Sequence, residues 1–148
     1  MEPRDFGALS AAYICQILPE RNSDGTVVEC APHGLYQNRK GLVLHKDGPG
    51  PFCKFRGVYI VTRNGNACYV GECVHLSKRF NMGYGQISPR NCFVGGQSTN
   101  CRLNRRVLEA ASRGETVELW FVATENRESV EFSLISTLRP EWNVQNKF

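Results

Sequence analysis

Tyr59, Tyr69, His75 and Arg79 crowd into one short stretch, GVYIVTRNGNACYVGECVHLSKRF, residues 57–80, and a stable hairpin needs none of their polar groups. A fifth residue, Glu131, stands in a helical pattern whose apolar stripe is Leu134, Ile135 and Leu138. Steps of three and four residues put its carboxylate on that stripe. A carboxylate facing a core is costly unless a cation, a metal or hydrogen bonds compensate it. An internal ion pair with an arginine, or a place at the stripe's edge, would also satisfy it, and spacing alone leaves these readings open beside a metal site. Glu128, one turn earlier, suits the positive end of the helix and is the weaker candidate. His75 and Arg79 are four residues apart on one helix face, beside the apolar pair Leu76 and Phe80. Arg79 is thus either an anion partner close to the core or an ordinary helix arginine, and His75 either a chemical group or a first-turn residue with a satisfied backbone bond.

The elements that must position these groups can be read from pattern. Gly57–Thr62 and Ala67–Glu72 alternate as two strands about an Asn-Gly turn, and a helix starts over His75–Phe80. A glycine-rich loop follows, then a helix from about Asn100 to Ser112 that stops at Gly114. TVELWFVA, residues 116–123, is a strongly apolar strand, and a last helix spans about Glu128–Leu138 before Pro140. The order predicts an α/β (α+β) module with a small three-stranded, mainly antiparallel sheet flanked by helices. Upstream, Leu9, Tyr13 and Ile17 recur at spacing four, which predicts a short helix over Ala8–Leu18. Thr26–Cys30 and Gly41–His45 read as strands. The breaker DGPGP, residues 47–51, divides the chain into an N-terminal extension, residues 1–50, and a module of residues 51–148.

Length and composition fit one globular domain of 148 residues. The net charge of +4 is unevenly spread: Lys78 to Arg113 holds Lys78, Arg79, Arg90, Arg102, Arg105, Arg106 and Arg113 against Glu109 alone. Such a local excess reads as a field aimed at a polyanion, or more simply as a solvated basic surface. Arg102, Arg105, Arg106 and Glu109 share one face of the second helix, opposite Leu103, Val107, Leu108 and Ala111. Seven cysteines at irregular spacing, with no secretory leader and no membrane-length apolar run, predict free buried thiols in a reducing cytosol, cytoplasmic in a bacterium. Cys68, Cys73 and His75 lie close in sequence, but without a CxxC or a second pair they make a poor zinc site.

Gly57-Val58-Tyr59, Tyr69-Val70-Gly71, Arg79, Glu131 and Pro140-Glu141-Trp142-Asn143, taken in order, resemble the GIY-YIG nuclease superfamily over the C-terminal two thirds of the chain. Each triplet departs from the family name by valine for isoleucine. The resemblance implies a phosphodiesterase dependent on Mg²⁺ or Mn²⁺. On it, Tyr59 matches the tyrosine that helps deprotonate the attacking water, Tyr69 hydrogen-bonds beside it, and Arg79 steadies the charged phosphate. Glu131 matches the metal-ligating carboxylate and Asn143 the late asparagine that braces the site, while His75 has counterparts in some branches only.

The chemistry agrees with those types. Phosphodiester hydrolysis needs an activated water, neutralised nonbridging oxygens and help for the departing oxygen, which a hard divalent ion on one carboxylate and a permanently charged arginine can supply. A tyrosine with its reference pKa near ~10 is a poor base unless a cation depresses it, so a relay through His75 is the competing route. The stretch ISPRNCFVGGQSTNCRLN, residues 87–104, is rich in types suited to phosphate and base contacts. Lys78, Arg90, Asn100, Arg102, Arg105 and Arg106 are therefore the expected nucleic-acid contacts. The reading is a DNA endonuclease of restriction, branched-DNA or single-strand type, with no membrane partner. Cutting both strands asks a one-site module for two copies, hence a homodimer on DNA, or for two visits. The other class is a non-catalytic nucleic-acid-binding module on the same fold.

Overall fold

The computed structural model describes residues 3–7, 9–19, 21–26, 39–40, 42–44, 55–80, 86–87 and 98–143. Its organising strand is β8, Val117–Ala123. Leu119 and Phe121 enter one apolar cluster with Tyr59 and Val61, and Trp120 enters the other with Val58, Ile60, Val70 and Leu134. A strand covered on both faces is stable when both of its edges are also paired. β5, Gly57–Arg63, takes one edge antiparallel from Gly57↔Ala123 to Arg63↔Val117. β2, Leu9–Pro19, takes the other from Ala12↔Phe121 to Gln16↔Glu118, with an irregularity between Tyr13 and Cys15.

The segment expected as a helix over Ala8–Leu18 is therefore a strand. Spacing four is even, so Leu9, Tyr13 and Ile17 satisfy alternation as well as a helical line. Ala11, Cys15, Ile17 and Pro19 are buried at odd positions along β2, the period of a strand. The free edge of β8 decides between the two readings, which local sequence cannot do.

The sheet is correspondingly larger than three strands. Its order is β1-β2-β8-β5-β6, with β4 also paired to β2, six strands in all and every pairing antiparallel. Here β1 is Arg4–Phe6, β4 is Leu42–Leu44 and β6 is Asn66–Cys73. Strands from the first fifty residues thus continue the sheet built by the later ones; the breaker at residues 47–51 and residues 27–30 lie outside the described residues. A separate ribbon pairs β3, Arg39–Lys40, with β7, Gln86–Ile87.

The β5–β6 hairpin turns at Asn64 and Gly65, with φ of 49° and 85°, the positive pair that matches strand twist in a two-residue loop. Helix α1 is only Leu76–Lys78, continuing through a wider turn at Arg79 and Phe80. Helix α2, Ser98–Ser112, lays Leu103, Val107 and Ala110 on the cluster that holds Tyr59. Helix α3, Arg127–Leu138, lays Leu134 on the opposite cluster. It ends at Arg139, whose φ of 48° turns the chain into Pro140. Among the described residues no helix is long and apolar enough to cross a membrane.

β6 forms one border of the sheet, and the chain returns to cover it. The Trp142 amide donates to the Cys68 carbonyl at 2.8 Å. Asn143, 4% exposed, accepts from the Val70 amide through Oδ1 at 2.9 Å and donates through Nδ2 to the Val70 carbonyl at 2.8 Å. Its side chain replaces a strand. Asn143→Ala leaves both Val70 groups without a partner and should cost about 2 kcal/mol of stability by denaturant titration. A loss below about 0.5 kcal/mol, the scatter of ordinary surface changes, would show that water replaces the amide fully.

Candidate functional site at the outer edge of β6

Backbone groups of β6 that face away from β5 recur every second residue. Those of Cys68 and Val70 are taken by Trp142 and Asn143. The next, the amide of Glu72, lies close enough to the Glu131 carboxylate to favour its ionised form. The start of α3 is clamped to the same place by Arg127, whose Nη1 lies 2.7 Å from Oε1 of Glu72. Burial first, and then the charge of Glu72, pushes the Glu131 carboxyl above its ordinary value. Arg79 works the other way, Glu128 adds to the rise, and the Glu72 amide offsets part of it. Glu131 is half-buried, at the edge of the apolar stripe rather than inside it.

Tyr59 comes to this edge from the opposite face of the sheet. It stands across from Gly71 in the β5–β6 register, and a methyl group on Gly71 would overlap its hydroxyl end. The Tyr59 hydroxyl consequently lies over Gly71, one residue along β6 from Glu72. Phe80 fixes the ring edge-on, with centroids 5.1 Å apart. Tyr69 sits 6.2 Å from Tyr59 between centroids, but it belongs to a different groove, shared with Arg102, Leu103, Arg106 and Trp142.

Leu76 and Phe80 are buried, so the short α1 is anchored from below while Lys78 and Arg79 are exposed. The charge of Arg79 acts on both Glu131 and the Cys73 thiol, which burial pushes up to about 11. His75 caps α1: its Nδ1 accepts from the Lys78 amide at 3.2 Å. In a neutral imidazole with Nδ1 accepting, the proton sits on Nε2, which is then a donor.

The residues divide into two groups. Tyr59 packs on Gly71, the charges of Glu72 and Arg79 reach Glu131, and Asn143 pins Val70 beside Gly71. Tyr69, Arg102 and Arg106 form the second group, and Arg105 does not line its groove. Arg90 and the side chain of Asn100 lie outside the described residues. Sequence reading passed over Glu72 and Arg127. Arg127 carried a signal, because a cation in the first turn of a helix opposes the dipole and asks for an acidic partner. It also missed Asn104, a buried polar residue on the apolar side of α2.

The arrangement suits a cation. Among the described residues no three His, Cys, Asp or Glu side chains gather into a metal-binding group. A hard divalent ion that keeps several waters needs only one or two carboxylates. Glu131 carries the charges of Glu72 and Glu128 nearby, and Oε2 of Glu72 is buried and accepts no hydrogen bond among the described residues. Positive charge placed there would offset the burial and the neighbouring charge that together hold the Glu131 carboxyl high.

A solved structure of a mutant of bacteriophage T4 EndoII resembles this chain with a TM-score of 0.54, covering 90% of this chain and 92% of that one at 15% identity. At such identity the likeness is one of fold. That shared fold is consistent with the mixed α+β module expected from the sequence. No protein-family profile and no curated protein matches the chain.

Two outcomes follow for stability. The folded chain holds the Glu131 proton more tightly than an unfolded chain would, so stability is lost as pH rises through the carboxylate range. Glu131→Gln should therefore raise the melting temperature at pH 7 in metal-free buffer, with the gain vanishing below the ordinary carboxylate pKa. A gain that persists undiminished in acid would contradict this assignment. Gly71→Ala should cost about 1–3 kcal/mol through overlap with Tyr59, and less in a Tyr59→Ala background, where the obstacle is gone. Equal costs in the two backgrounds would refute the close approach.

Proposed function

We propose that the chain is a divalent-metal-dependent DNA endonuclease that hydrolyses a phosphodiester bond at the outer edge of β6. The observation that carries this reading is the approach of Tyr59 and Glu131 from opposite faces of the sheet to adjacent residues, Gly71 and Glu72, with Arg79 in electrostatic contact with Glu131. The GIY-YIG-like triplets and the fold shared with phage T4 EndoII support it.

Each residue has a task its surroundings favour. Arg79, exposed on a short turn and charged at any working pH, pairs with a nonbridging oxygen of the scissile phosphate. Glu131 is the residue that would hold Mg²⁺ or Mn²⁺, with the Arg127–Glu72 clamp fixing the start of its helix on β6. When bound, that ion supplies Lewis-acid stabilisation of the phosphate and of the departing oxygen. Tyr59 orients the attacking water and takes its proton at the hydroxyl that lies over Gly71. His75 is fitted to donate through Nε2 to a phosphate or leaving oxygen, because its other nitrogen is spent on the α1 cap. Asn143 acts at one remove by fixing Val70 between the two tyrosine-bearing positions. Lys78 and the α2 arginines add phosphate contacts, and a homodimer on DNA would allow both strands of a duplex to be cut.

The test is incubation with supercoiled, branched and single-stranded DNA in Mg²⁺, Mn²⁺ or EDTA, the preferred substrate naming the class. Cutting is expected with metal and none with EDTA. Glu131→Gln should lower the cleavage rate at least about 100-fold while leaving DNA affinity nearly unchanged, since it removes the residue that would hold the metal and spares the phosphate contacts. Binding without cutting of any substrate in either metal would make the chain a nucleic-acid-binding module instead.

A further inference from the structure

Glu72 directly follows the second tyrosine triplet, and the proposed chemistry gives it no task beyond clamping α3. Strand alternation sets it on the same face of β6 as Val70, which packs with Leu134 of α3. Arg127 and Glu131 lie four residues apart on α3 and share one helix face. Arg127 meets Glu72 at 2.7 Å, so the helix face that holds Glu131 is turned to Glu72 as well. The charge of Glu72 accordingly acts on Glu131, second only to burial. A purely structural ion pair would use both carboxylate oxygens, because a guanidinium fork matches them two by two. Here Nη1 of Arg127 donates to Oε1, while Oε2 is buried and accepts no hydrogen bond among the described residues. A buried acceptor left without a donor lowers stability, and folds rarely keep one that has no other use. The surrounding charges are out of balance too: Glu72, Glu128 and Glu131 stand against Arg79 and Arg127, one negative charge in excess.

We propose that Glu72 is the second carboxylate of the metal site, offering Oε2 to the divalent ion that Glu131 holds. The assignment rests on the nuclease reading above, which gives that ion Glu131 alone. A hard divalent ion that keeps several of its waters is bound through one or two carboxylates, so the pair is a sufficient protein share. Arg127 is then the residue that positions Glu72: it occupies Oε1 and leaves Oε2 for the ion. Adjacent residues of β6 carry separate duties, with Gly71 beneath the Tyr59 hydroxyl and Glu72 at the metal.

The experiment titrates the full chain with Mn²⁺ alone, without DNA, and reads the free ion by electron paramagnetic resonance. Glu72→Gln and Glu131→Gln should each weaken Mn²⁺ binding at least about 10-fold relative to the parent protein. Mn²⁺ should also raise the melting temperature of the parent, and raise it less in Glu72→Gln. Arg127→Met breaks the clamp but keeps the Glu72 carboxylate, so it should bind Mn²⁺ more tightly than Glu72→Gln does. Where Glu72→Gln does not fold, Glu72→Asp keeps the charge, draws the oxygens back by one methylene, and should still bind Mn²⁺ more weakly than the parent. Parental affinity in the Glu72 variants, or an equal loss in Arg127→Met and Glu72→Gln, makes Glu72 a clamp only and overturns the proposal. The nuclease reading stands in either case if the parent cuts DNA with metal. A parent that binds Mn²⁺ through Glu72 yet cuts no DNA supports the metal site and overturns the nuclease reading.

Discussion

The structure depends on how the outer edge of β6 is closed. An edge strand presents amides and carbonyls every second residue, and these must find partners or invite another chain. Here the partners are unlike one another: the Trp142 backbone at Cys68 and the Asn143 side chain at Val70, with the Glu131 carboxylate brought close to the Glu72 amide beyond them. Closing the edge thereby brings a carboxylate next to the residue that Tyr59 covers, and a requirement of sheet construction also assembles the candidate site.

Charge around that carboxylate is poorly balanced for stability alone. Glu72 and Glu128 both raise the Glu131 carboxyl, while Arg127, the nearest clamp, is spent on Glu72. Packing would be better served by an apolar residue continuing the stripe of Leu134, and a half-buried carboxylate with acidic neighbours costs folding free energy. Residues that lower stability in this way concentrate where a fold must do chemistry. A cation would convert the same repulsion into binding energy.

Much of this was legible in the sequence, and the gaps have physical causes. The hairpin, β8 and α3 carry strong local patterns, and all appear within two residues of their expected ends. Helical periodicity put Glu131 beside the apolar stripe, and the structure sets it at the edge, half-buried, which was the plainer of the two readings. β2 was misread because even spacing serves a strand and a helix alike, and the deciding fact was an unfilled edge a hundred residues away on β8. The three-strand expectation failed for the same reason. Glu72 and Arg127 escaped because an ion pair between a strand and a helix 55 residues later leaves no spacing to detect.

Tyr59 and Tyr69 show how a motif can join residues that a structure sets to different work. Both triplets place a tyrosine on the same face of the sheet, and both rings enter the same apolar cluster. What separates them is what stands opposite. Tyr59 faces a glycine across the ladder, so its hydroxyl end lies directly over that residue's backbone. Tyr69 faces Val61, which has a side chain, and its neighbours beyond the strand are Trp142 and the α2 arginines. The Tyr59 hydroxyl end lies over a glycine at β6, whereas Tyr69 is packed beside Trp142 and α2. The glycine of the second triplet therefore serves the tyrosine of the first, and the pairing of the triplets follows from the register of one hairpin.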